Sequence, residues 1–199
     1  MIKKKVENKF DLKKEYKDSW NYIRVSKNFI YSIIAIFFVF VLIGFFVPAS
    51  AALMEAIMRI IQDLIEQTKG MSQLELIRFI FLNNLQSSFF GVIFGVAFGI
   101  FPVLTAVVNG YLLGFVGAVS VEAGGISVLW RILPHGIFEL PAIFISLGLG
   151  LKLGSFIFQK EKVKSFREYF FNSLRVFFFI VVPLLIIAAI IEGILISLS

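Results

Sequence analysis

His135, the only histidine in the chain, precedes Glu139 by four positions, and Pro134 and Pro141 flank the two. In a helix this spacing puts both ionisable side chains on one face, one turn apart. The residues that follow are apolar enough for a membrane segment, where ionisable groups are costly and are interpreted as functional by default. Such a pair could bind a proton, a cation or a hydrogen-bond donor of a partner. An interfacial histidine with a structural hydrogen bond, and a neutral packed glutamate, are the competing interpretations.

Patterns typical of enzymes are missing from the sequence. The chain has no cysteine, which excludes disulfides, thiolate metal sites and cysteine nucleophiles. His-x-x-x-Glu lacks the second histidine that the zinc protease pattern requires. A Gly-x-Ser-x-Gly elbow and a phosphate loop are also missing. We therefore expect a protein that is not an enzyme and that uses no metal and no cofactor.

The composition is that of a membrane protein. Hydrophobic residues make up 59% of the chain and charged residues 16%, and 25 of the 199 residues are phenylalanine. A soluble domain of this length could not bury so much apolar surface, whereas a polytopic membrane protein leaves it against lipid tails. The predicted fold class is all-α, a polytopic bundle of transmembrane helices in the cell membrane.

Apolar stretches predict five transmembrane helices, since about 20 residues of helix cross the hydrocarbon core. Residues 79–121 carry no formal charge and would extend for about 64 Å as one helix, so they are divided into two spans. The break is placed at Gly99 to Pro102, because proline is tolerated in a first helical turn. Asn109-Gly110 is the alternative turn. The spans are predicted at 28–48, 79–99, 103–121, 134–154 and 176–198.

Charges between the spans predict the topology. Residues 1–27 hold nine Lys/Arg against four Asp/Glu, and residues 152–175 hold six against two. Short segments rich in Lys/Arg stay cytoplasmic, so both should lie on the cytoplasmic side of the membrane domain, residues 28–199. The C-terminus is then extracytoplasmic. The first span starts too late and is too long for a cleaved secretory signal, so we expect it to be retained.

Two segments outside the spans have helical periodicity. In the leader, Leu12, Tyr16 and Trp20 recur one turn apart, which predicts a basic amphipathic helix on the cytoplasmic membrane face. A solvated basic leader is the equal alternative. Residues 51–68 have one apolar and one polar stripe, which predicts an amphipathic helix on the extracytoplasmic side.

Small residues recur every fourth position within three of the predicted spans. In lipid, such residues allow close approach of helix backbones and are the usual packing device. They predict a compact bundle, with most of these contacts inside one chain. The packing glycines are Gly91, Gly95 and Gly99 in the second span, Gly110 and Gly114 in the third, and Gly150 and Gly154 in the fourth.

The predicted topology brings distant polar residues to one depth. His135 begins the fourth span at its outer end, and Glu139 lies about 7 Å deeper. Glu192 in the fifth span lies about 10 Å below the same surface. Asn84 is at the outer end of the second span. We therefore predict an intramembrane polar site of Asn84, His135, Glu139 and Glu192.

Three separated motifs resemble a known family. They are "LPHGIFELPAIFISLGLGLKLG" at 133–154, "NGYLLG" at 109–114 with "FGI" at 98–100 before it, and "IAAIIEG" at 187–193. Together they are similar to the signature of the stage II sporulation protein M family of integral membrane proteins. The resemblance implies five spans. Its characteristic positions here, to none of which a role is attached, are Asn109, Gly110, Pro134, His135, Gly136, Glu139 and Glu192.

Two hypotheses about function remain open. The family's namesake anchors two peptidoglycan-cutting partners during engulfment, which favours a membrane scaffold or complex subunit that recruits partners through residues 51–68 and the basic leader. The sporulation role itself is not carried over. The alternative is a transporter or channel for protons, cations or a small solute that uses the intramembrane polar site. The expected partners are the lipid bilayer and either other proteins or a second copy of the chain, without nucleic acid.

Overall fold

A computed structural model describes the backbone of residues 11–198 and the side chains of residues 11–127 and 139–195. The described residues form helices and turns, with no strand among them. The long helices are α1 (Leu12–Val25), α2 (Lys27–Phe46), α3 (Ala51–Thr68), α4 (Gln73–Ile93), α5 (Ile100–Gly124), α6 (Leu129–Gly154), α7 (Lys162–Val176) and α8 (Val182–Leu198).

Five helical segments in the described part of the chain are long and apolar enough to cross a membrane. This confirms the prediction of an all-helical protein with five candidate spans. Several helices are longer than the uncharged stretches from which the spans were predicted. The polar and charged residues next to those stretches are also helical. The segments are Lys27–Phe46, Gln73–Val96, Ile100–Gly124, Glu139–Phe158 and Lys162–Leu195.

Helix α6 lies at the centre of the bundle and packs against α2, α4, α5 and α8. More than half of the most apolar part of its membrane segment is buried, against a third or less in the other four. The element that carries Glu139 is therefore the one with the least lipid contact. Helices α2 and α5 form the most extensive of the remaining pairs.

The glycine rows make these contacts within one chain. Just after α4, Gly95 in a 3₁₀ turn lies against the backbone of Gly150, and Gly99, the residue before α5, lies against Leu151 of the same helix α6. On α5, Gly110 and Gly114 lie against the backbone of α2. A Cβ atom at Gly95 or Gly114 would overlap a carbonyl oxygen of the neighbouring helix, so only glycine permits this spacing.

The break between the second and third spans lies at Ala97 to Gly99, after a short 3₁₀ turn, Phe94–Val96. Phe98 and Gly99 both have left-handed backbones, with φ of 57° and 72°, and so end one helix and redirect the chain. Pro102 lies in the first turn of α5 and is fully buried. The alternative turn at Asn109-Gly110 lies in the middle of α5.

Two segments are more helical than the sequence suggested. Helix α6 begins at Leu129, five residues ahead of Pro134, so that proline lies inside the helix. Residues 162–176, expected as part of a basic connection, form α7, which continues into α8 through a π-helical turn, Phe177–Val181. The charged residues of 162–176 are good helix formers, and Val176 is buried in the bundle, so the segment folds as an extension of the last span.

Helix α1 is docked against α7. Arg175 Nε lies 2.6 Å from Glu15 Oε2, and the rings of Tyr16 and Phe179 meet edge to face at 5.5 Å. Four spans (α2, α4, α5 and α6) separate α1 from α7 along the chain. Both basic segments therefore lie at one end of the bundle, called the α1–α7 end.

Helix α3 lies at the opposite end, called the α3 end, because α2 crosses the bundle between α1 and α3. The Ser50 side chain caps it, and Ile57 is its one buried residue. Gly70, with φ of 81°, turns the chain toward α4. There Ser72 and Glu75 form the reciprocal capping box that their spacing predicts.

Candidate functional site

A cavity of about 550 Å³ opens at the α3 end, between α3 and the ends of α4, α6 and α8. Its wall is mixed, because the apolar stripe of α3 faces amide and carboxyl groups of the other three helices. The polar lining residues are Thr68, Gln73, Asn83, Asn84, Glu139 and Glu192, and the apolar ones are Ile61, Leu64, Ile65, Met71, Leu76, Phe79 and Ile80.

At the base of this cavity the carboxyl group of Glu139 forms side-chain hydrogen bonds with Glu192 and Asn84. The Asn84 amide donates to Glu139. A hydrogen bond between two carboxyl groups requires a proton on one of them, because an ionised carboxylate can only accept. The three residues therefore form one polar cluster, and two acids this close to each other can share a single proton.

The packing of the helices explains why these residues meet. Helices α4 and α6 both run from the α3 end, with Gly91 beside Leu147 and Gly95 beside Gly150. Asn84 and Glu139 therefore reach the same level. Helix α8 runs in the opposite direction, and Gly193 lies against Ile77 of α4, which brings Glu192 to that level.

Apolar side chains close the bundle beneath the two acids. Ala142 lies one turn below Glu139 on α6, and Leu185 two turns from Glu192 on α8. Val92 of α4, Phe177 and Val181 complete this cluster, and each of the five buried residues is at most 2% exposed. The site is therefore accessible from the α3 end and separated from the α1–α7 end by packed hydrocarbon.

Of the four residues of the predicted polar site, the structure brings Asn84, Glu139 and Glu192 together. His135 lies one helical turn before Glu139 on α6, and its side chain is outside the described residues, as are those of Pro134 and Gly136.

Asn109 and Gly110 lie elsewhere. Gly110 packs on the backbone of Phe37 in α2, and the Asn109 amide donates to the carbonyl oxygen of Thr105 at 2.8 Å. Gly110 therefore belongs to the packing of α5 on α2, Asn109 is exposed and bonded within its own helix, and neither residue lines the cavity.

Sequence reasoning missed a second buried polar group, at the α1–α7 end. Lys152 is only 8% exposed. Its Nζ donates to Ser26 Oγ at 3.0 Å and lies 4.0 Å from the centre of the Tyr22 ring and 5.2 Å from that of Tyr169. It thus ties the centre of the bundle to α1 and α7. An isolated lysine near the end of an apolar stretch was the only available signal.

Comparison with known proteins gives one match. The model of the family described as Stage II sporulation protein M matches residues 33–195. No curated protein and no solved structure matches the chain. The matched range contains all five spans except the start of the first, and it contains the whole cavity.

Proposed function

Since the chain belongs to the stage II sporulation protein M family of membrane proteins, we propose that it is a non-enzymatic membrane subunit that holds a protein partner at the α3 end. The observation that carries this proposal is α3 itself. Its apolar stripe is largely uncovered, with Met54, Met58, Ile60 and Ile65 exposed by 38 to 60%.

The position of α3 makes it a suitable contact surface. Glu55 and Arg59 pair along its polar face, while the apolar stripe is only partly used in lining the cavity. Methionine side chains are flexible and polarisable and adapt well to a partner's shape. The spans of the bundle, in contrast, already use their glycine rows on one another. The exposed apolar stripe of α3 can therefore adapt to a partner, while the closely packed bundle holds the helix in place, as a scaffold requires.

The proposed orientation follows from charge. The α1–α7 end carries the basic segments, which we assign to the cytoplasm by the preference of Lys/Arg for that side. The α3 end, with the cavity, would then face the extracytoplasmic side, and the chain would be a multi-pass protein of the cell membrane. A partner bound at α3 would be extracytoplasmic or membrane-embedded.

Site-specific photocrosslinking in native membranes tests the scaffold proposal. A photoreactive residue in place of Met58 should give a discrete protein adduct, and an adduct of twice the mass of the chain would identify a second copy as the partner. Phe38, an exposed residue of α2, provides the matched control and should give lipid adducts only. The same lipid-only pattern at both positions would show that α3 merely rests in the bilayer.

Transport is the second candidate, and the hydrogen-bonded unit of Glu139, Glu192 and Asn84 favours it. Ionisable groups inside membranes mark proton and ion pathways. Because apolar side chains close the bundle below, transport would need a second conformation that opens toward the α1–α7 end, as in alternating access.

Flux in proteoliposomes tests this second candidate. Glu139→Gln and Glu192→Gln should abolish a pH-driven flux, whereas Glu122→Gln, an exposed glutamate near the end of α5, should leave it unchanged. Absence of flux in the unmodified protein under proton and cation gradients would eliminate transport and leave the scaffold proposal untouched.

A further inference from the structure

Helices α1 and α7 present basic and apolar side chains side by side on surfaces that the bundle does not cover. We propose that this two-helix surface binds anionic phospholipids at the α1–α7 end. The inference is independent of α3 and of the cavity, since it concerns the opposite end of the molecule.

Helix α1 has three distinct faces. Ser19 and Tyr22 are buried against the bundle. Leu12, Tyr16 and Trp20, spaced by four residues, form an exposed apolar stripe, with Trp20 half exposed. The exposed basic residues Lys13, Lys17 and Arg24 form a second stripe directly beside it, because each of the first two follows a member of the apolar stripe.

The acidic residues of α1 do not neutralise this basic stripe. Asp11 caps the helix by accepting from the backbone amides of Lys13 and Lys14. Glu15 pairs with Arg175 on the bundle side, and the partly buried Asp18 lies about 100° or more around the helix from each of the three basic residues. The charges of Lys13, Lys17 and Arg24 therefore remain directed outward.

Helix α7 repeats the combination. Val163 and Phe171 are exposed apolar residues, and Arg167 lies between them along the helix with its guanidinium 6.0 Å from the Phe171 ring. Because α1 and α7 are docked on each other, the two exposed surfaces belong to one rigid pair of helices. An apolar stripe beside a basic stripe is the arrangement that lies in the headgroup region of a bilayer.

The position along the chain places this pair at the membrane boundary. The first membrane segment begins at Lys27, two residues after α1 ends, and α7 runs into α8 through a single π-helical turn. Neither helix can move far from the headgroups. Lys152 fixes the rotation of α1 through Ser26 and Tyr22, so the stripe keeps its direction.

Charge complementarity selects anionic over neutral lipids. Each Lys or Arg near an anionic membrane surface increases the affinity of the helix for that surface about fivefold. Neutralising Lys13, Lys17 and Arg24 together should therefore reduce the preference for anionic lipid by about a hundredfold, while the apolar stripe keeps its contact with the bilayer.

Quenching of Trp20 by brominated lipids tests the proposal. The full chain carrying Trp130→Phe, so that Trp20 is its one tryptophan, is placed in nanodiscs that contain brominated phosphatidylglycerol or, at the same fraction, brominated phosphatidylcholine. Stronger quenching by the anionic lipid is expected. That excess should fall with Lys17→Gln and vanish in the triple glutamine variant, whereas Lys14→Gln, exposed outside the stripe, should change it less.

Two results would overturn the proposal. Equal quenching by both lipids would show that α1 touches the bilayer without selecting charge. No quenching by either lipid would show that the surface faces away from the membrane, as it would if an acidic protein were its occupant. Neither result alters the crosslinking at α3, so this inference and the scaffold proposal fail separately.

Discussion

Gly95, in the 3₁₀ turn after α4, lies directly on the backbone of Gly150 of α6, and a Cβ atom built on Gly95 would come within 2.5 Å of the Gly150 Cα and carbonyl carbon. Backbone cannot move without displacing a whole helix. One turn earlier, Gly91 meets only the tip of the Leu147 side chain, at 2.6 Å, which can rotate away. The two glycines thus differ in what an added methyl group would contact, which is helix backbone at Gly95 and a movable side chain at Gly91.

Gly95→Ala should therefore destabilise the protein by about 1–3 kcal/mol, because overpacking at a backbone contact forces the helices apart. Gly91→Ala should cost less than about 1 kcal/mol, since Leu147 can adopt another rotamer. Thermal unfolding in detergent compares the two variants. Equal losses of stability in the two variants would mean that the backbone contact between Gly95 and Gly150 is looser than in the structure.

Glu139 and Glu192 should behave as a coupled pair. Because each loses its hydrogen-bond partner when the other is removed, the double variant Glu139→Ala/Glu192→Ala should be more stable than the sum of the single effects by about 0.5–3 kcal/mol. The same cycle between Glu139 and the exposed Glu122 should be additive. Unfolding free energies of the variants in each cycle provide the measurement.

Lys152→Met should release α1 from the bundle. The substitution keeps an unbranched side chain and removes both the hydrogen bond to Ser26 and the cation–π contact with Tyr22. These contribute about 1–3 kcal/mol, so α1 should open about five to 160 times more often. Chymotryptic cleavage at Tyr16 and Trp20 measures this opening, and Lys164→Met, an exposed lysine of α7, should leave the rate unchanged.

Docking of α1 should weaken at alkaline pH. Burial raises the pKa of the Tyr22 phenol, the nearby Ser173 hydroxyl opposes the shift, and Tyr169 and Glu168 add to it. A raised pKa in the docked state means that docking favours the neutral phenol. This contribution is therefore complete below pH 10, the usual pKa of tyrosine, and is lost progressively above it.

Trp20 emission, recorded in a Trp130→Phe background, reports this undocking as the pH is raised. Tyr22→Phe cannot ionise and should abolish the dependence, whereas Tyr16→Phe, which keeps the ring contact with Phe179, should retain it. An alkaline transition that persists in Tyr22→Phe would assign the effect to another group, the first candidate being the Lys152 ammonium that lies over the same ring.

The spans were predictable because hydropathy is a local property of the chain. The break at Gly99 was predictable from a nearby proline and from the length limit of a single crossing. The start of α4 was predictable from the capping box of Ser72 and Glu75, but the ends of the apolar stretches were not the ends of the helices, since charged residues such as Arg78 interrupt the apolar pattern without interrupting the helix. The basic residues of 162–176 concealed α7 for the same reason.

Counting residues from the ends of the spans was enough to predict that Asn84, Glu139 and Glu192 lie together, because the rise per residue of a helix converts sequence position into depth in the membrane. It could not show that Leu64 and Thr68 of α3 wall the same cavity, since the tilt of a surface helix depends on tertiary packing. Nor could it find the partners of Lys152, because Ser26 lies 126 positions away.

The π-helical turn Phe177–Val181 sets the angular phase of the last span. Such a turn inserts one extra residue into an α-helix. Upstream of it, Ser173 and Val176 face the bundle beside α1, and downstream of it Glu192 faces Glu139. Deleting one residue here would turn every later side chain by about 100° and point the second acid away from the first. The π-helical turn, about three helical turns before Glu192, therefore determines whether the two carboxyl groups lie close together.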